Sequence, residues 1–100
     1  MNISEIPLSP DNQQFAINLA GTTYQMRIIW RDPCWCLDLM LSDQTPVAMA
    51  IPLLFGADLL AQYASLGLGF SLVVGSDNAE PGDPTQTDLG INTHLYVITE

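Results

Sequence analysis

Lysine is absent from this 100-residue chain, and the only other fixed cations are Arg27 and Arg31, set against eleven acidic residues for a net charge of -9. Binding to nucleic acid or to an anionic membrane surface needs several Lys or Arg contacts to phosphate, so both partners are disfavoured. Long apolar runs are missing too. The longest, Val47 to Phe55, is interrupted by Pro52 and falls well short of a membrane span. The first residues, Met-Asn-Ile-Ser-Glu-Ile-Pro, lack the basic and apolar regions of a signal peptide, so no export signal is expected. Cysteine is scarce: Cys34 and Cys36 flank Trp35, and the only histidine is His94. A structural zinc within one chain would need further soft ligands, so the expectation is two free thiols, no metal and a reducing compartment of synthesis.

Catalytic and nucleotide-binding patterns are equally sparse. Gly67-Leu-Gly69 follows a helix-like segment and opens a strand, the reverse of a dinucleotide fingerprint, and it lacks the third glycine. No Gly-x-Ser-x-Gly elbow accompanies His94, which reads as a structural strand histidine. Asp77, Glu80, Asp83 and Asp88 form the densest acidic grouping and read as a solvated loop. Asp38 differs, because it lies within a strand, where it either faces solvent or pairs with Arg27 or Arg31 across a ladder. No catalytic residue and no cofactor is assigned.

What the chain does have is alternation, within a composition that is 48% hydrophobic and fits one domain over residues 1–100. Phe15, Ile17 and Leu19, then Tyr24, Met26, Ile28 and Trp30, recur at period two around Ala20-Gly21-Thr22-Thr23, which predicts a hairpin turning at Gly21. After Arg31-Asp32-Pro33 a second hairpin is expected. Trp35, Leu37, Leu39 and Leu41 alternate along its first strand, Ser42 to Thr45 reverse the chain, and Val47, Met49 and Ile51 return between Pro46 and Pro52. Those prolines suit strand ends or a sheet edge.

The period then changes. Leu59, Leu60, Tyr63 and Leu66 share one helical stripe within Ala57–Leu66, with Asp58 near the start and Gly67 as a stop, which predicts one short α-helix. Phe70, Leu72 and Val74 form a further strand, Gly75 to Asp88 a loop, and His94 to Ile98 a last strand. Tyr24, Trp30, Trp35, Tyr63, Phe70 and Tyr96 fall on apolar positions and are expected mainly in the core. One or two of them, with Tyr63 the candidate, anchor an interface, since Tyr and Trp are enriched among residues that carry binding energy.

Taken together, Ile6-Pro-Leu-Ser-Pro10, Met26-Arg-Ile-Ile-Trp30, Trp35-Cys-Leu-Asp-Leu39, Ile51-Pro-Leu53, Gly56-Ala-Asp-Leu-Leu-Ala-Gln-Tyr63, Leu66-Gly67, Asp88-Leu-Gly90 and Leu95-Tyr-Val97 resemble the small baseplate plug proteins of contractile-tailed bacteriophages, of the cyanophage kind. The Gly56–Tyr63 stretch is the most specific part, and the resemblance spans nearly the whole chain. It implies a non-enzymatic virion component, made in the host cytoplasm, that plugs or braces the central hub of the tail baseplate. It further implies contacts with hub and tail tube proteins, and a homo-oligomer of three- or six-fold symmetry. The chain has fewer arginines than the family pattern in the first hairpin and after the second turn, which leaves Arg27 and Arg31, with Tyr63, as the candidate partner interface.

The fold expected is mainly β, a small antiparallel barrel or sandwich with one short α-helix. A cytoplasmic ligand-binding β module is the alternative function, and it would require an apolar pocket.

Overall fold

The computed structural model describes residues 2–32, 34–77 and 82–99. Among them are seven strands: β1 (Asn2–Ile6), β2 (Gln13–Leu19), β3 (Thr22–Trp30), β4 (Trp35–Leu41), β5 (Pro46–Pro52), β6 (Phe70–Ser76) and β7 (Thr93–Thr99). They form two antiparallel sheets, one of order β2-β3-β4-β5 and one of order β1-β7-β6. The larger sheet is the two expected hairpins laid side by side. Its first turn is the two-residue loop Ala20-Gly21, with φ of 52° and 86°, the left-handed pair that a tight hairpin requires. The prolines lie where a missing amide donor does least harm, at the two ends of β5 on the edge of its sheet.

Alternation puts one face of each sheet into a common core. Tyr24, Met26, Ile28, Trp35, Leu37 and Leu39 of the larger sheet meet Phe70, Leu72, Val74, Leu95 and Val97 of the smaller one. The Tyr24 and Phe70 rings pack edge to face across the two sheets, with centroids 5.7 Å apart. Tyr96, expected inside, shares the outward parity with His94 and lies over Gly75. A Cβ at Gly75 would come within 2.8 Å of the Tyr96 ring.

β5 departs from simple alternation. Leu37 pairs with Ile51 but Leu39 pairs with Ala48, so β5 carries one extra residue opposite Asp38. Ala50 takes the left-handed conformation of this bulge, with φ of 56°. The inward positions change in consequence: Ala48 and Ile51 are buried, whereas Met49 is turned outward.

The sheets are not closed into a barrel. Between β5 and β6 the Leu53 amide donates to the Trp35 carbonyl, and the Gly56 and Leu59 amides donate to Val74 and Leu72. This connection touches the larger sheet through the Leu53–Trp35 bond and the smaller one through single bridges from Phe55 to Val74 and from Asp58 to Val73, one parallel and one antiparallel. No continuous ladder results.

The expected α-helix is replaced by a short 3₁₀ helix over Ala61–Leu66. The reason is that Asp58 bridges to Val73 and the Leu59 amide donates to Leu72, so the backbone at 58 and 59 runs along β6 instead of turning into a helix. What remains before Gly67, itself at φ 62°, is too short for a stable α-helix. Bonds of the i to i+3 kind, Ala61 to Asp58 and Tyr63 to Leu60, form instead. Leu59 and Leu60 are buried as expected and Tyr63 is half-buried, but Leu66 is 53% exposed. The four-residue stripe therefore loses its last member.

Candidate functional site

Arg27 and Asp38 face each other in the register between β3 and β4, on the outer face of the larger sheet. The guanidinium donates from Nε and Nη2 to Asp38 Oδ2 at 2.9 and 2.7 Å. The other oxygen, Oδ1, accepts the Ala50 amide of the bulge at 2.7 Å. Burial pushes the Asp38 carboxyl up. The Ala50 amide, the Arg27 hydrogen bonds and charge, and the charge of Arg31 together outweigh it and hold the group below its ordinary value. The cross-strand pair anticipated for Asp38 is thus formed with Arg27.

The three candidate interface residues are differently placed. Arg27 keeps 37% of its side chain exposed while bonded to Asp38. Arg31 lies exposed just beyond β3 and acts on Asp38 through its charge alone. Tyr63 sits on the 3₁₀ helix, packed against the edge of the core. The two arginines thus share a neighbourhood around Asp38, and Tyr63 belongs to a different element.

Exposed apolar side chains cluster in the same connecting stretch as Tyr63. Leu54, Phe55 and Leu66 are exposed there, and Ile3 and Ile91 are exposed elsewhere. A shallow cleft of about 280 Å³ lies between the end of β5 and the 3₁₀ helix, lined by Ile51, Pro52, Leu54, Ala57, Leu59 and Ala61. A second, of about 290 Å³, lies between β1 and β2. Both are at the lower limit of sites that enclose small molecules.

The acidic grouping has a role that composition did not reveal. Asp83 Oδ1 accepts the Phe55 amide at 2.8 Å, pinning the exposed apolar stretch. Asp88 Oδ1 accepts the Thr85 amide at 2.7 Å and the Thr93 hydroxyl at 3.2 Å, and the Asp88 carbonyl accepts the Ile91 and Asn92 amides. Thr85 in turn offers its carbonyl to Trp35 Nε1 at 2.8 Å. These carboxylates organise backbone instead of only facing water. Glu80, counted with them, and Pro33 of the turn before β4 lie outside the described residues.

His94 is held between two carboxylates, with Nδ1 2.7 Å from Glu5 Oε2 and Nε2 2.7 Å from Asp77 Oδ2. The bond to Asp77 raises its pKa most. Desolvation works against this, and the Glu5 bond with both carboxylate charges adds to it, so the imidazole sits above its ordinary value. The histidine on β7 therefore ties β1 to the end of β6. The spacing of Glu5, Asp77 and His94 in sequence gives no sign of this, because the strand order brings them together.

Among the described residues no helix is long and apolar enough to cross a membrane. Neither the curated proteins nor the solved structures gave a match to the chain. One family model does match, over residues 3–100, and its description is cyanophage baseplate Pam3 plug gp18. With essentially the whole sequence covered, the chain belongs to the cyanophage baseplate plug family, whose members are structural components of the virion tail baseplate.

Proposed function

We propose that the protein braces or plugs the central hub of a contractile tail baseplate, as a non-enzymatic part in contact with hub and tail tube proteins. It does so in repeated copies related by three- or six-fold symmetry. The observation that carries this reading is the family match across residues 3–100. Exposed apolar side chains at Leu54, Phe55 and Leu66, on a stretch pinned by Asp83 and by β6, supply a preformed surface for a protein neighbour. Tyr63, on the 3₁₀ helix of the same connection, is the aromatic anchor, and Arg27 and Arg31, around Asp38, are the cationic ones. The charge of -9 suits a position near a conduit for DNA, since an acidic wall repels the polyanion instead of retaining it.

The test is a phage carrying a deletion of the gene, followed by cryo-microscopy of tail tips. Loss of infectious particles, with density missing at the hub, is the expected result. Normal particles would sink the reading.

A further inference from the structure

Cys34 and Cys36 stand outside the core and the ion pairs, each half-buried, with their Sγ atoms 3.9 Å apart. Cys36 lies on the outer face of β4, in register with Ile29 of β3 on one side and Pro52 of β5 on the other. Cys34 precedes it in the connection from β3, where its carbonyl accepts the Arg31 amide at 2.8 Å. Hydrogen bonding thus fixes both backbones, and the sulfur separation follows from the fold.

Two cysteine sulfurs meet at separations that depend on what joins them. A disulfide holds them at about 2.05 Å. A linear two-coordinate soft cation would hold them about 4.6 Å apart, twice a metal–sulfur bond of about 2.3 Å. A tetrahedral cation with the same bond length places two of its corners about 3.8 Å apart. In the reduced protein the pair is joined by a thiol–thiol hydrogen bond at 3.9 Å, which already sets the two sulfurs close to the edge length of that tetrahedron.

The geometry points to the Cys34–Cys36 pair as a two-point chelate for a tetrahedral thiophilic divalent cation, Zn²⁺ or Cd²⁺, whose other two corners are filled from outside the chain. Among the described residues no set of three or more potential ligands forms a metal site, which is why ligands from outside the chain are needed. This departs from the expectation of free thiols without metal, which considered only the ligands of a single chain. Binding breaks two S–H bonds, forms two sulfur–metal bonds and releases both protons to solvent. Asp38, two residues along, and the net charge of -9 draw a cation in, and Arg31 opposes it. Because binding releases both protons, affinity rises with pH.

Titration of the reduced, full-length protein with Cd²⁺ alone, without oxygen, tests this independently of any role in the baseplate. Sulfur-to-metal charge-transfer absorption should appear and saturate at one ion per chain. Saturation at half an ion per chain, with doubled mass, equally supports the chelate and identifies a second copy as the outside ligand. Cys34→Ser and Cys36→Ser should each weaken binding by about tenfold or more, and His94→Gln should not. Wild-type protein with alkylated thiols provides the same loss should a serine variant fail to fold. No charge-transfer absorption, or absorption that survives either serine substitution unchanged, overturns the inference.

Discussion

The Asp38 carboxylate and the Ala50 amide are joined at 2.7 Å across a bulge, so a charged side chain on β4 holds a left-handed alanine on β5. Ala50 would otherwise be a poor choice, since a residue with a Cβ at positive φ costs about 1–2 kcal/mol. The charge-assisted bond offsets that cost. Arg27 completes the arrangement by taking the other oxygen.

Asp38→Ala is therefore expected to lower stability by about 1.5–3 kcal/mol, the range for a buried hydrogen bond to a charged group. Arg27→Ala should cost about 1 kcal/mol or less, because its side chain is 37% exposed and water can take its place. Urea unfolding compares the two. Because the Asp38 carboxyl is held below its ordinary value of 3.8, its contribution is present above that pH and is lost as pH falls through the folded value. Equal losses in both variants would show that the Ala50 bond is not the important one.

Ala20 presents a second case, at φ 52° in the first hairpin turn. Ala20→Asn converts the loop to the Asn-Gly pair that such turns favour, and a gain of about 0.5–1 kcal/mol is expected. A thermal midpoint unchanged or lowered by the substitution would contradict the turn geometry.

His94 makes stability depend on pH with the opposite sign to Asp38. Its folded pKa is raised above the ordinary 6.5, so the contribution is complete below that value and is lost as pH rises through the folded pKa. Wild-type protein should lose stability as pH rises above 6.5 and through the raised folded pKa, and His94→Gln should flatten the curve there. Both carboxylate partners are well exposed, which keeps the effect small. Parallel curves for the two proteins would remove His94 from the explanation.

Leu60 and Leu66 separate the observed 3₁₀ helix from the expected α-helix. Leu60→Ala should cost about 2–5 kcal/mol, as for a buried core leucine, and Leu66→Ala less than about 0.5 kcal/mol. A large loss at Leu66 would restore the four-residue stripe.

Much of the larger sheet was legible because its determinants are local. Period-two alternation, Gly21 at the turn and Pro46 and Pro52 at the strand ends each act within a few residues, and the Arg27–Asp38 pair follows once the strands are aligned. The helix misled because Leu59 and Leu60 are apolar at helical spacing, whereas the pairing of Asp58 and Leu59 with Val73 and Leu72 of β6 leaves no mark on that periodicity. The bulge was hidden because alanine, not glycine, occupies its left-handed position. Asp83 and Asp88 looked like solvated charge because their acceptor roles depend on backbone amides from other segments. Of the candidate interface, the residue types were readable. That Leu54 and Phe55 are displayed required the fold.

The pairing of β1 with β7, which sets Asn2 opposite Thr99, has a kinetic consequence. Every partner in the larger sheet is the next strand along, so its hairpins can zip up by closing short loops. β1 must instead wait for a loop spanning almost the entire chain, and each doubling of loop length adds about 0.6 kcal/mol to closure. The smaller sheet should consequently be completed last during refolding, with hydrogen-exchange protection of the Ile6 and Leu95 amides lagging behind that of Met26 and Leu39.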